Sequence, residues 1–141
     1  AAMAITAHEL GHAMQDKTSY GPMRLRTAIV PIVSLGSNLG VILVMIGVVL
    51  NFANLATIGV ILFSSTALFS LVTLPVELDA SKRAREMLDQ TGLVTNEEER
   101  VGVKAVLDAA AWTYVAGLAT SIMQLLYYMS VAGRASGRRR S

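Results

Sequence analysis

Between Thr27 and Val76 the chain carries not one Asp, Glu, Lys, Arg or His. A soluble fold has no reason to keep so long a stretch free of charge, whereas a membrane hairpin does. The stretch divides at Asn51-Phe52-Ala53-Asn54, an uncharged tight turn, into one run from Thr27 to Leu50 and another from Leu55 to Leu74. As helices these runs are about 36 and about 30 Å long, each enough to cross a bilayer with some tilt. Gly36, Ser37, Asn38, Gly40 and Gly47 make the first run rich in small residues, as close helix packing inside a membrane requires. Pro31 lies near its start and is placed to kink it.

A third apolar run extends from about Ala105 to Val131, and Asp108 puts the start of its span at about residue 109. Trp112 and Tyr114 toward one end and Tyr127 and Tyr128 toward the other read as an aromatic belt. Before it, the segment from Pro75 to Arg85 turns abruptly to charge and reads as an amphipathic helix stopped near Gly92. Thr95-Asn96-Glu97-Glu98-Glu99 then reads as a helix start, with acids where the helix dipole favours them. Residues 133–141, rich in Gly, Ser and Arg, read as a disordered basic tail. The fold expected is all-α and membrane-embedded: a motif-bearing first helix, a transmembrane hairpin, an amphipathic helix and a third transmembrane helix. With 141 residues it is one domain. A net charge of +2, with the basic residues near the span ends, fits membrane topology and lipid contact rather than nucleic-acid binding.

Both histidines of the chain fall in His8-Glu9-Leu10-Gly11-His12. On a helix, residues four apart share a face, so His8 and His12 can offer two imidazole nitrogens to one metal ion. Glu9, one position along, can reach a water in the ion's open coordination position. Two His ligands, a third ligand from elsewhere and a Glu as general base are the parts of a zinc hydrolase. The helix ends at Ser19-Tyr20-Gly21-Pro22, since Gly and Pro punctuate. Because the chain opens at Ala1 inside this helix, it reads as an N-terminally truncated piece of a longer protein.

Topology narrows the third ligand. Two crossings return the segment beginning near Pro75 to the side of the HELGH helix. The chain has no third His and no Cys, so a third protein ligand is a carboxylate. Glu77, Asp79, Glu86 and Asp89 all lie on that side, with Glu77 first choice as closest to the hairpin and Asp79 second. Lys17, Arg24, Arg26, Lys82, Arg83, Arg85, Arg100 and Lys104 flank the spans while the hairpin turn carries no basic residue, which makes that side cytoplasmic. The arginines of the tail oppose this reading if the third run spans; either that run is re-entrant or protein-buried, or the tail is an exception.

HELGHAMQ, YGPMRLR, VPIVSLGSN and above all LVTLPVELDASKRA resemble the neutral zinc metallopeptidases of bacterial membranes, the YugP-like group, from about Ala4 through Leu126. The resemblance implies an integral membrane protease with one catalytic zinc, His8 and His12 as ligands and Glu9 as catalytic base. A more distant likeness, to the Glu-x-x-Ala-Asp motif of heat-shock and CAAX-prenyl membrane proteases, supports Glu77. Here Ser81 follows Ala80 where those proteases carry an Asp that orients a zinc-binding imidazole. Ser81 can do that work only more weakly, unless Asp79 or a residue upstream of this chain substitutes.

The function expected is zinc-dependent endopeptidase activity on a peptide or protein substrate at the cytoplasmic face of a bacterial membrane. Arg83, Arg85 and Tyr20 are candidates for stabilising the oxyanion, and Arg83 and Arg85 double as topology anchors. Two alternatives stand beside it. A site-2-type intramembrane protease would place HExxH inside the bilayer but would add an Asp-Gly pair, which is absent. The other is a non-enzymatic membrane scaffold or transporter fragment with a vestigial HExxH, and the lack of charged residues within the hairpin argues against an ion or substrate pathway.

Overall fold

The computed structural model describes residues 1–137 and contains, among them, four α-helices and no strand: α1 (Ala2–Lys17), α2 (Gly21–Val49), α3 (Ala53–Thr91) and α4 (Glu97–Gly137). Helices α2, α3 and α4 are each long and apolar enough to cross a membrane. Their sequences explain their ends. Ser19 takes a left-handed φ of 53° between α1 and α2, and Asn51 takes 51° between α2 and α3. Gly92, at φ +66°, follows α3, where a residue without Cβ closes a helix at no steric cost. At the start of α4 the Glu99 amide donates to Asn96 Oδ1 (2.8 Å), and the Glu99 carboxylate accepts from the Thr95 amide (2.9 Å) and hydroxyl (3.1 Å). That reciprocal cap is the helix start expected from the TNEEE stretch.

Two expected breaks are absent. The second apolar run and the amphipathic segment form one helix, α3, which carries Pro75 in its interior as α2 carries Pro31. A proline removes only its own N–H, and a long helix bridges that loss where neighbouring helices pack on it. Helix α4 also continues to Gly137, so residues 133–137 are helical rather than disordered. Arg134 lies in its last turn, where the helix dipole favours a cation. The rest of the expected tail, 138–141, lies outside the described residues.

The chain forms two compact units. One comprises Ala1–Thr27 and Val72–Ala116; the other comprises Ala28–Leu71 and the described residues from Gly117. The chain leaves the first unit after Thr27 and re-enters it after Leu71, the two residues whose carbonyls lose their helical donors to Pro31 and Pro75.

In the second unit α2 and α3 pack as an antiparallel hairpin. A Cβ on Gly40 would sit 2.7 Å from the Phe63 nitrogen and 2.8 Å from the Gly59 carbonyl oxygen, so the backbones touch where side chains would stand. Ser70 and Ser121 join α3 to α4 by a hydroxyl hydrogen bond of 2.9 Å, and Phe63 meets Tyr128 edge to face at 4.8 Å. The outward apolar residues stay uncovered by protein: Leu35 is 70% exposed, Ile61 64% and Val49 74%. Surfaces of that kind are stable only against lipid or another apolar partner. The protein is an integral membrane protein.

In the first unit Ala4, Ala7, Ala84, Leu88, Val94 and Leu107 form the core, which ties α1 to α3 and α4. Small residues dominate its α1 side and let that helix lie close against α3.

Overpacking separates the tight positions from the open ones. Gly40→Val is expected to lower stability by about 1–3 kcal/mol. Gly102→Ala, where nothing lies within 4 Å of the added Cβ, should be neutral or stabilising. Thermal unfolding of the two variants in detergent measures the difference.

Candidate metal centre

All residues of the centre lie in the first unit. Helix α1 places His8 and His12 one turn apart, with their rings edge to face at 4.7 Å. Helix α3 supplies Glu77, which is only 2% exposed. The two helices meet at Gly11, where a Cβ would overlap the Ala80 carbonyl oxygen. The second variable position of the HELGH motif is therefore a glycine for a reason of packing. Any side chain there would push the imidazoles away from the carboxylate.

The convergence is specific to single atoms. Glu77 Oε2 lies 3.1 Å from His8 Nε2 and 3.3 Å from His12 Nε2. Donors about 2.0–2.1 Å from a tetrahedral zinc ion lie about 3.3 Å from each other, so this spacing suits a shared ion. Among the described residues these three form the one His/Cys/Asp/Glu group compact enough to hold a metal.

The surrounding hydrogen bonds say more about what the trio requires. Gln15, fully buried, donates its amide to the Val76 carbonyl (2.7 Å) and to Asp79 Oδ2 (2.9 Å). Both are acceptors, so the amide orientation is set and Gln15 Oε1 faces His12 Nδ1 at 2.9 Å. His12 Nδ1 then donates to Gln15 Oε1, which leaves Nε2 as the ring atom turned toward Glu77 Oε2. A metal ion or a proton between Nε2 and Oε2 makes that approach favourable. The donor set, two imidazole nitrogens and one carboxylate oxygen, is the one catalytic zinc takes with a position left open.

His8 is held from behind as well, by Ser81 Oγ at 3.1 Å from Nδ1. Ser81 thus does contact an imidazole. Asp79 contacts neither histidine; it receives Gln15 and, at 2.6 Å, Arg83 Nε. Burial pushes the Asp79 carboxyl up, but the Gln15 hydrogen bond and the Arg83 guanidinium outweigh it and hold the group below the usual carboxylate range. The other carboxylates considered as ligands lie elsewhere, Glu86 against Lys82 and Asp89 against Arg100.

Several assignments change. Arg83 is taken up by Asp79, by Thr18 and by the Tyr20 ring, 5.4 Å away, while Arg85 pairs with Asp108 at 3.1 Å. None of the expected oxyanion candidates, Arg83, Arg85 and Tyr20, contacts the trio, because α3 turns both arginines toward carboxylates on their own or a neighbouring helix. Arg26, expected as a topology charge, instead donates from Nη1 to Glu77 Oε1 at 2.9 Å. Tyr114, expected in the aromatic belt, interacts through its hydroxyl with Glu77 and lies within the field of Glu9 and Arg26. Glu9 is exposed and makes no hydrogen bond or ion pair among the described residues.

The family model "Putative neutral zinc metallopeptidase" matches residues 1–133. A curated protein of Bacillus subtilis (strain 168), "Putative membrane protease YugP", is 42% identical over 130 residues, which are 92% of this chain and 57% of that relative. The chain thus spans a little over half of the relative's length. No solved structure matches.

Replacing Gln15 by Leu would leave the Nδ1 proton of His12 without an acceptor and free the ring to turn. Zinc affinity should fall about 10–100-fold, as is typical when a partner behind a metal ligand is lost. Competition with a chromophoric chelator measures it.

Proposed function

As the chain belongs to the neutral zinc metallopeptidase family, we propose that it is a zinc-dependent, membrane-bound endopeptidase whose general base is Glu9. The observation that carries the reading is the meeting of His8 Nε2, His12 Nε2 and Glu77 Oε2 at distances that suit one shared metal ion. His8, His12 and Glu77 would hold the ion, and Ser81 and Gln15 would fix the two rings. Bound there, zinc supplies a Lewis acid that brings the pKa of water toward about 7.

The rest is the work of the chain. Glu9 neighbours the two ligands on α1, and no ion pair or hydrogen bond among the described residues restrains its carboxylate. It takes the proton of the water as that water attacks the scissile carbonyl, and returns it to the leaving amine. Glu9 is exposed and the two histidines are 13% and 18% exposed, whereas Glu77 is sealed. A peptide can therefore approach from the Glu9 side. The flanking basic residues and the turn without them support a cytoplasmic position for the centre.

Two variants test the assignment in the protein purified in detergent. Glu9→Gln is expected to retain zinc at the wild-type stoichiometry and to lose model-peptide cleavage by at least about 100-fold. Glu77→Ala is expected to lose zinc, measured by elemental analysis. Full cleavage by Glu9→Gln would remove the enzymatic reading, and normal zinc in Glu77→Ala would remove the ligand assignment.

Sidedness is open to labelling, because the chain has no cysteine of its own. With a membrane-impermeant maleimide, Lys17→Cys should react only in inside-out vesicles and Asn54→Cys only in right-side-out ones. The reverse pattern would place the centre on the outer face.

A further inference from the structure

Glu77 presents its two oxygens to different partners. Oε2 faces the imidazoles, while Oε1 receives Arg26 Nη1 at 2.9 Å. The carboxylate is 2% exposed and cannot turn to water for compensation, whereas the arginine side chain is 31% exposed and reaches in from α2. Arg26 sits two residues from Arg24 in the basic cluster that precedes the first span. A topogenic charge has no need of a buried partner, so the contact with Glu77 calls for a separate explanation.

We infer that Arg26 is a positioning residue that serves as a built-in substitute cation for Glu77. It compensates the buried carboxylate before a metal arrives, a part that a divalent ion takes over on loading. The inference rests on the metal-site half of the proposed function and is independent of whether the centre cleaves peptides.

The physical argument concerns what a sealed carboxylate costs. Breaking a buried pair by removing one partner is strongly destabilising, because the remaining charge is left without compensation. Besides the imidazoles of His8 and His12, Arg26 is the one basic side chain within ion-pair distance of Glu77 among the described residues, and the one on its Oε1. With a divalent ion on Oε2 there are two sources of positive charge, and the arginine matters less. Arg26 and the metal thus compensate the same carboxylate, and they repel each other across it. By thermodynamic linkage, loss of Arg26 should destabilise the metal-free protein more than the loaded one, and should tighten zinc binding by the same factor. An arginine whose only part was to orient a ligand would behave oppositely: its loss would weaken zinc binding.

The experiment compares wild type, Arg26→Gln and Arg24→Gln in detergent, each with excess chelator and with zinc. For Arg26→Gln the melting temperature in chelator should fall by about 5 °C or more, a shift on the scale of one lost interaction in a domain of this size. With zinc it should approach the wild-type value, and chelator competition should show zinc bound at least about 10-fold more tightly. Arg24→Gln should leave both melting temperatures and the zinc affinity unchanged. Equal destabilisation with and without zinc, unchanged melting in chelator, or weaker zinc binding by Arg26→Gln would each overturn the inference. If Arg26→Gln does not accumulate without metal, Arg26→Lys carries the same comparison, with a smaller shift of the same sign expected and the opposite sign overturning it. Wild-type protein that binds zinc but cleaves no peptide would remove the peptidase reading alone; wild-type protein that binds no zinc would remove both.

Discussion

A carboxylate that is almost sealed from water governs the centre of this protein. Glu77 is paired inside the first unit on both oxygens: Arg26 meets one and the two imidazoles meet the other. Satisfying it draws on three helices at once: α1 brings the imidazoles, α2 the guanidinium, and α3 the carboxylate with Ser81 one turn on. The Tyr114 hydroxyl adds α4. None of these helices carries the site alone, and their long apolar continuations fix the order in which the chain presents them.

The pairing of the two histidines on one face was legible at once, since four-residue spacing needs nothing beyond helical geometry. Glu77 was legible through topology: a charge-free hairpin must return, and the first carboxylate after it arrives beside the motif. Ser81 followed from its place one turn beyond Glu77. Gln15 was within reach, because it stands three residues after His12 on the metal-facing side of α1, but an amide in a helix has many ordinary uses. Arg26 and Tyr114 were hidden for another reason. A basic residue before a span and an aromatic residue near its end already have sufficient membrane explanations. Only coordinates show that both turn toward one carboxylate.

The helix boundaries show the same division. Positions where the backbone leaves the helical region, Ser19, Asn51 and Gly92, fall where Gly, Asn and Ser clusters announced them. Proline did not end α3, although Pro75 marks the change from apolar to charged sequence. Residues 133–137 likewise remained helical despite their Gly and Ser content, since composition sets a tendency while the long helix α4 that precedes them needs little to propagate.

The seam between α1 and α3 carries an asymmetry that bears on how such a chain can change over generations. Ala4, Ala7 and Gly11 on one side face a stretch containing Ala80 and Ala84 on the other, and glycine already occupies the tightest point. No smaller residue exists to relieve a misfit there. Almost every single-codon change at these positions adds volume, and added volume moves both imidazoles together, leaving HELGH intact in the gene yet separated from its carboxylate. A descendant could thus lose the meeting of His8, His12 and Glu77 while keeping every residue of the recognisable motif. Whether a homologue retains Gly11 is accordingly a sharper criterion of whether the two imidazoles still reach the carboxylate than whether it retains HExxH.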